Sequence, residues 1–215
     1  MRSINMYPFP KNTSIAISGT TGSGKTMWVY KLLKQKDVMF EVSPTQVLYC
    51  YGIYQPVFQD MEREMSFINV HQGLPDIEML IALNKNSLII LDDLARRIVE
   101  SREMEELFTM GVHHRQLSVI YINQNMYCQG KYARTINLNT HFMILLKNPR
   151  DVSQVACLAR QVFPHQSKAF IEAYQDCMKN SFGYLVIDLS PQGEDEYRLR
   201  TDIFKDDVTV IYKRV

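Results

Sequence analysis

The sequence has little of several things that would narrow its class. No apolar run approaches the roughly 20 residues of a membrane-spanning helix. The opening "MRSINMYPFPKNTS" has no apolar core, so a signal peptide is not expected. Its four cysteines, Cys50, Cys128, Cys157 and Cys177, form no CxxC pair and lie near no histidine at zinc-ligand spacing. They read as reduced thiols of an intracellular compartment, partly core filler. There is no internal repeat, no low-complexity segment and no Gly/Ser-rich linker, so one domain over residues 1–215 is expected. Charge of one sign is also missing. Lys and Arg number 24 against 23 Asp and Glu, a net charge of +1, so bulk electrostatics announce no nucleic-acid partner, although a local basic surface stays possible.

What is present is an ordinary globular composition, 46% hydrophobic and 22% charged. Short apolar runs alternate with helical patterns. Strands are expected at 14–19, 46–52, 87–94, 117–125 and 141–148, with helices at 25–35, 55–65, 76–86 and 102–114. Two more helices are expected at 150–163 and 167–180. Closing strands are expected at 183–190 and 197–204, with another candidate at 208–214. Continuous apolar strands separated by helices imply a mainly parallel central sheet with helices on both faces. The last strands follow one another without helices and predict an antiparallel C-terminal edge. The class is α/β.

Gly19-Thr20-Thr21-Gly22-Ser23-Gly24-Lys25-Thr26 fits the phosphate-loop pattern GxxxxGK[ST], after a buried strand and at the start of a helix. Glycines let backbone N–H groups approach a polyphosphate, and the helix N-terminus adds partial positive charge. Lys25 is expected to reach the β- and γ-phosphates and the Thr26 hydroxyl to ligate Mg²⁺. The run Leu88-Ile89-Ile90-Leu91-Asp92-Asp93 ends a strand in two acids. Asp92 is expected to hold Mg²⁺ and Asp93 to act as the base on attacking water, the other reading of Asp93 being a helix cap. A hydrolytic base and the lack of an arginine-rich lid favour water as phosphoryl acceptor, hence an NTPase. A small-molecule kinase ranks behind it.

The strand "SVIYINQN" places Gln124 at the same sheet edge as Asp92, to sense the γ-phosphate or position water, the other reading being a strand-end residue bonded to a loop. Arg115 lies at the strand's opposite end. It reads either as an arginine finger offered in trans to a neighbouring subunit or as a surface arginine at a helix end. Arg134 and Arg150 are rivals, and His113 and His114 read as helix-end residues.

The order "ISGTTGSGKT", "LIILDDL", "HHRQLSVIYINQN", "GKYARTINLNTHFMILLKNPRD" and "LARQVFP" resembles the genome-packaging ATPases of the FtsK–HerA superfamily. It looks most like those of large double-stranded DNA viruses, virophages and Polinton/Maverick elements, over residues 12–205. The resemblance implies an ATP- and Mg²⁺-dependent motor that forms a ring, a pentamer or hexamer, and threads double-stranded DNA into a capsid. It also implies a capsid or portal partner, no membrane, and an intracellular place in an infected or element-bearing cell or in the virion. Many relatives carry glutamate where Asp93 stands. Adenine preference comes from the resemblance alone.

DNA contacts are expected in 126–139, where Lys131 and Arg134 interleave with Tyr127 and Tyr132 and Gly130 is expected to give flexibility. A structured connection with solvated charges is the other reading, and Arg96-Arg97 is a rival site. The alternatives in function are a related helicase-type motor or a nucleotide-dependent switch or assembly protein.

Overall fold

The computed structural model describes residues 7–112, 115–150 and 152–213. Nine strands make one sheet: β1 (Ser14–Ser18), β2 (Val47–Tyr51), β3 (Ile68–Gln72), β4 (Leu88–Asp92), β5 (Ser118–Asn123), β6 (Phe142–Leu146), β7 (Tyr184–Asp188), β8 (Leu199–Thr201) and β9 (Val210–Ile211). Their spatial order is β3-β2-β4-β5-β1-β6-β7-β8-β9. From β3 to β6 every pairing is parallel, and from β6 to β9 every pairing is antiparallel. The expected architecture is therefore the one observed.

The helices are α1 (Lys25–Lys34), α2 (Lys36–Met39), α3 (Val57–Glu64), α4 (Ile77–Ala82), α5 (Ala95–Glu100), α6 (Arg102–Glu106), α7 (Ala133–Leu138), α8 (Val152–Val162) and α9 (Ser167–Cys177). A π-helical turn, Leu107–Gly111, continues α6. No helix among the described residues is long and apolar enough to cross a membrane.

Strand side chains alternate between two cores. Ile15, Ile17, Tyr49, Leu88, Ile90, Ile120 and Ile122 join Trp28, Val29, Leu32 and Leu33 of α1 and Phe58 and Met61 of α3. Ala16, Leu48, Ile89, Leu91, Val119 and Tyr121 pack on the other face against Ile98, Phe108, Leu158 and Phe170. Both faces are thus covered, which is why the inner strands are apolar without interruption. The four cysteines are free thiols, with Cys50 and Cys177 buried.

The sequence reading passes over β3 and three short helices, α2, α5 and α7. β3 is a half-exposed edge strand, and its "INVHQ" gives too little apolar alternation to announce it. α5 is only six residues long, too short for a helical period to register. Expected boundaries shrink elsewhere, as at 76–86, where the helix spans Ile77–Ala82 and Asp76 caps it by accepting from Met79 N at 2.7 Å.

Candidate functional site

Pairing places the chemistry. β5 lies between β1 and β4, with Ser18 opposite Asn123 and Ile122 opposite Asp92. The ends of these three parallel strands meet at one edge, and the loop from Gly19 to Gly24 rises from it into α1. Gly22 and Gly24 take positive φ, 79° and 94°, where a side chain is strained. No side chain caps α1, and its first turn holds no acid. Its leading N–H groups are therefore left for an anion.

Lys25 folds back over the loop. Its Nζ donates to the carbonyls of Gly19 at 2.7 Å and Thr20 at 2.9 Å. Burial lowers the Lys25 pKa, while the charges of Asp92 and Asp93 act the other way. The Ser23 hydroxyl is buried with no hydrogen-bond partner among the described residues, and Thr20 Oγ1 donates to the Lys147 carbonyl at 3.2 Å. Thr21 is exposed at the loop tip.

Alternation puts Asp92 on the same face as Leu88 and Ile90, towards α1. Thr26 Oγ1 donates to Asp92 Oδ2 at 3.2 Å, and Tyr49 Oη donates to the same oxygen at 2.8 Å. Gln55 Nε2 donates to Thr26 Oγ1 at 3.3 Å. Asp92 is 4% exposed. Burial raises its pKa most, opposed by the bonds from Tyr49 and Thr26. The phenol of Tyr49 is itself pushed far up by burial and by the neighbouring carboxylate.

Tyr49 and Gln55 join the candidate site through these bonds, and sequence reasoning misses both. A tyrosine inside an apolar strand carries no signal until β2 is paired with β4.

One hydroxyl and one carboxylate suit Mg²⁺, which takes few protein oxygens and completes its shell with water and phosphate. Among the described residues no group of three His, Cys, Asp or Glu could hold a metal alone. The donors therefore fit a cation that arrives with a polyphosphate.

Asp93 is exposed, with φ 56°, and its backbone N donates to the Ile122 carbonyl at 3.3 Å. The helix-cap reading of Asp93 finds no support: α5 is capped by Leu94, with no side-chain bond. Gln124 is exposed where β5 ends, next to Asn123.

Arg115 precedes β5, at the opposite edge of the sheet from the phosphate loop. Its Nη2 donates to the Leu80 carbonyl at 2.6 Å, so part of its guanidinium is held within the chain. His113 and His114 lie outside the described residues.

The segment 126–139 differs from the flexible loop expected. Arg134 belongs to α7, which takes up Ala133–Leu138 of the segment. Met126 N donates to Gln154 Oε1 at 3.1 Å and Tyr127 Oη to Gln161 Oε1 at 2.9 Å, which ties this end to α8. Tyr132 N donates to the Val99 carbonyl at 2.8 Å and Lys131 N to Glu100 Oε1 at 3.3 Å, which ties the other end to α5. Gly130 is there for close approach, not for freedom: a Cβ would stand 2.2 Å from Val99 Cγ2. Val99 is β-branched and 6% exposed, so it cannot swing away.

Gly130→Ala should cost about 1–3 kcal/mol by overpacking, and thermal unfolding would read it as a midpoint lower by several degrees. An unchanged midpoint would show that α5 and this segment are not in fixed contact. Lys131 and Arg134 themselves are exposed, and the Lys131 ammonium lies 5.0 Å from the centre of the half-buried Tyr132 ring.

The loop, the acid strand and the intervening strand together make this a P-loop NTPase fold. No family model matches the chain, and no curated protein matches it. Among solved structures it is similar to the KaiC-like protein PH0186 from the hyperthermophilic archaeon Pyrococcus horikoshii OT3. The identity is 13%, with 99% of each chain covered and a TM-score of 0.48. A likeness so loose says nothing about chemistry, and the reading of the site rests on the geometry of its own residues.

Proposed function

We propose that this chain hydrolyses ATP with Mg²⁺ and uses the energy to move double-stranded DNA, packaging a viral or virus-like genome into a capsid. The observation that carries the enzymatic half is the Thr26–Asp92 contact beneath an uncapped helix start. It joins a metal-binding hydroxyl and carboxylate at the place where a polyphosphate would lie. Bound Mg²⁺ would supply Lewis-acid stabilisation of the phosphates. Lys25 stabilises charge on the same phosphates, Asp93 accepts a proton from water, and Gln124 orients that water.

The motor half rests on the order of motifs and on two placements. Arg115 stands at the edge of the sheet away from its own phosphate loop, which suits a finger offered to the next subunit of a ring. Lys131, Tyr132 and Arg134 form a basic, aromatic stretch that begins a few residues after Gln124, so nucleotide state can reach it. Contacts of this kind grip the phosphate backbone without reading sequence.

The test is steady-state ATP hydrolysis with and without linear double-stranded DNA at several salt concentrations. Turnover should rise several-fold with DNA, and the stimulation should fade as salt increases. Replacing Lys131 or Arg134 by Ala should lower the log–log salt slope by about one per lost phosphate contact. Hydrolysis that ignores DNA but responds to a capsid protein would favour a nucleotide-dependent switch or assembly protein instead.

A further inference from the structure

Phe182 is out of place by every ordinary criterion of folding. It is 69% exposed, more than any other aromatic side chain among the described residues. Its φ is 59°, in the left-handed region that a bulky residue adopts only at a cost in strain. Burial gives nothing back for that strain, since the ring faces water on most of its surface. The residue sits in the turn between α9 and β7, immediately before Gly183 and Tyr184.

That turn is at the ligand edge of the sheet. β7 runs antiparallel to β6, with Tyr184 opposite Leu146, so the start of β7 lies beside the end of β6. The end of β6 in turn lies beside Gly19: a Cβ on Gly19 would stand 2.9 Å from Leu146 Cβ. Phe182 reaches the phosphate loop itself. Its Cδ1 would be 3.0 Å from a Cβ on Gly24, the residue that caps α1.

We infer that Phe182 is the platform on which the base of the bound nucleotide stacks. Direction supports this assignment. Thr26 and Asp92 mark the metal end of the polyphosphate, on the β4 and β5 side of the loop. The nucleoside end therefore leaves on the opposite side, towards β6 and β7, where Phe182 stands. A ring face beside an uncapped helix start offers what an aromatic base needs, and bases of all kinds have such a face. The site supplies affinity for the nucleoside without choosing among bases. This inference rests on the phosphate-loop reading.

The experiment is calorimetric titration with Mg·ATP, Mg·GTP and Mg·tripolyphosphate, on the parent protein and on Phe182→Ala, Phe182→Tyr and Phe182→Gly. Tripolyphosphate carries the phosphates and no base. The parent protein should bind ATP and GTP more tightly than tripolyphosphate. Phe182→Ala should weaken both nucleotides roughly ten- to a hundred-fold, the loss expected for one base–aromatic stack, and leave tripolyphosphate unchanged. Phe182→Tyr should retain the parent's preference. Phe182→Gly should behave as Phe182→Ala towards ligands while melting at a higher temperature than the parent, because glycine relieves the left-handed strain.

Equal loss of all three ligands in Phe182→Ala would show a structural role and overturn the inference. So would ATP affinity unchanged by Phe182→Ala, or a change in sedimentation alone, which would make the ring a contact between subunits. Failure of the parent protein to bind either ATP or tripolyphosphate would overturn the phosphate-loop reading and this one with it.

Discussion

Lys25→Ala will abolish turnover, reducing it by about two to three orders of magnitude or more, in line with the loss of a main electrostatic contact to transferring phosphate. The geometry explains the size of the effect. The ammonium is already placed over the loop by the carbonyls of Gly19 and Thr20, 2.7 and 2.9 Å away. Nucleotide phosphates would exchange for those carbonyls without moving the side chain far. Asp92 and Asp93 both favour the charged amine. Its loss leaves two acids facing a polyanion, offset only in part by the helix start. Nucleotide titration and turnover check the outcome, with thermal unfolding as the control, since the same change removes two bonds from the loop. A Lys25→Ala protein that hydrolyses ATP at the parent rate would end the phosphate-loop reading.

Asp93→Asn should separate binding from chemistry. Asparagine has nearly the shape of aspartate and tolerates a left-handed φ better than most residues, so the 56° backbone should survive. The side chain is exposed and makes no cap to α5, so the fold has little stake in its charge. The variant should bind Mg·ATP at least as well as the parent, since one negative charge near the phosphates is gone. Its turnover should fall by about 10²–10⁴-fold, the usual worth of a general base. Single-turnover hydrolysis after pre-binding ATP isolates the step. An unchanged rate would remove Asp93 from the chemistry and leave Gln124, just past the end of β5, as the candidate.

The phosphate loop and the acid strand were legible because their chemistry needs fixed residue types at fixed spacing. Gly22 and Gly24 must take positive φ, Lys25 and Thr26 must follow, and a buried strand must end in Asp92. The sheet was legible for a related reason. Strands covered on both faces have to be apolar throughout, and those from β4 to β7 announce themselves.

Edge and contact features were not legible. β3 needs no apolar alternation at the rim, and α5 has too few residues to show a period. Tyr49 reaches Asp92 only because β2 pairs with β4 in a register that puts Tyr51 opposite Asp92, which no local pattern encodes. Phe182 is invisible for the same reason: its position beside Gly24 depends on how β7 returns along β6. Gly130 was legible as a glycine and misread in purpose, because close approach and freedom leave the same letter.

The clamp around Gly130 bears on how force would pass through the molecule. Between Met126 and Tyr132 the chain is bolted to α8 at one end and α5 at the other, and α5 starts three residues after Asp92. A linkage without slack does not absorb displacement. A tilt of α5 produced at the end of β4 would be carried to Lys131 through these bonds. A looser tether would dissipate the same tilt as local wobble. The tight spot at Gly130 would thus let a small shift at a bound phosphate reach the surface at Lys131 undamped.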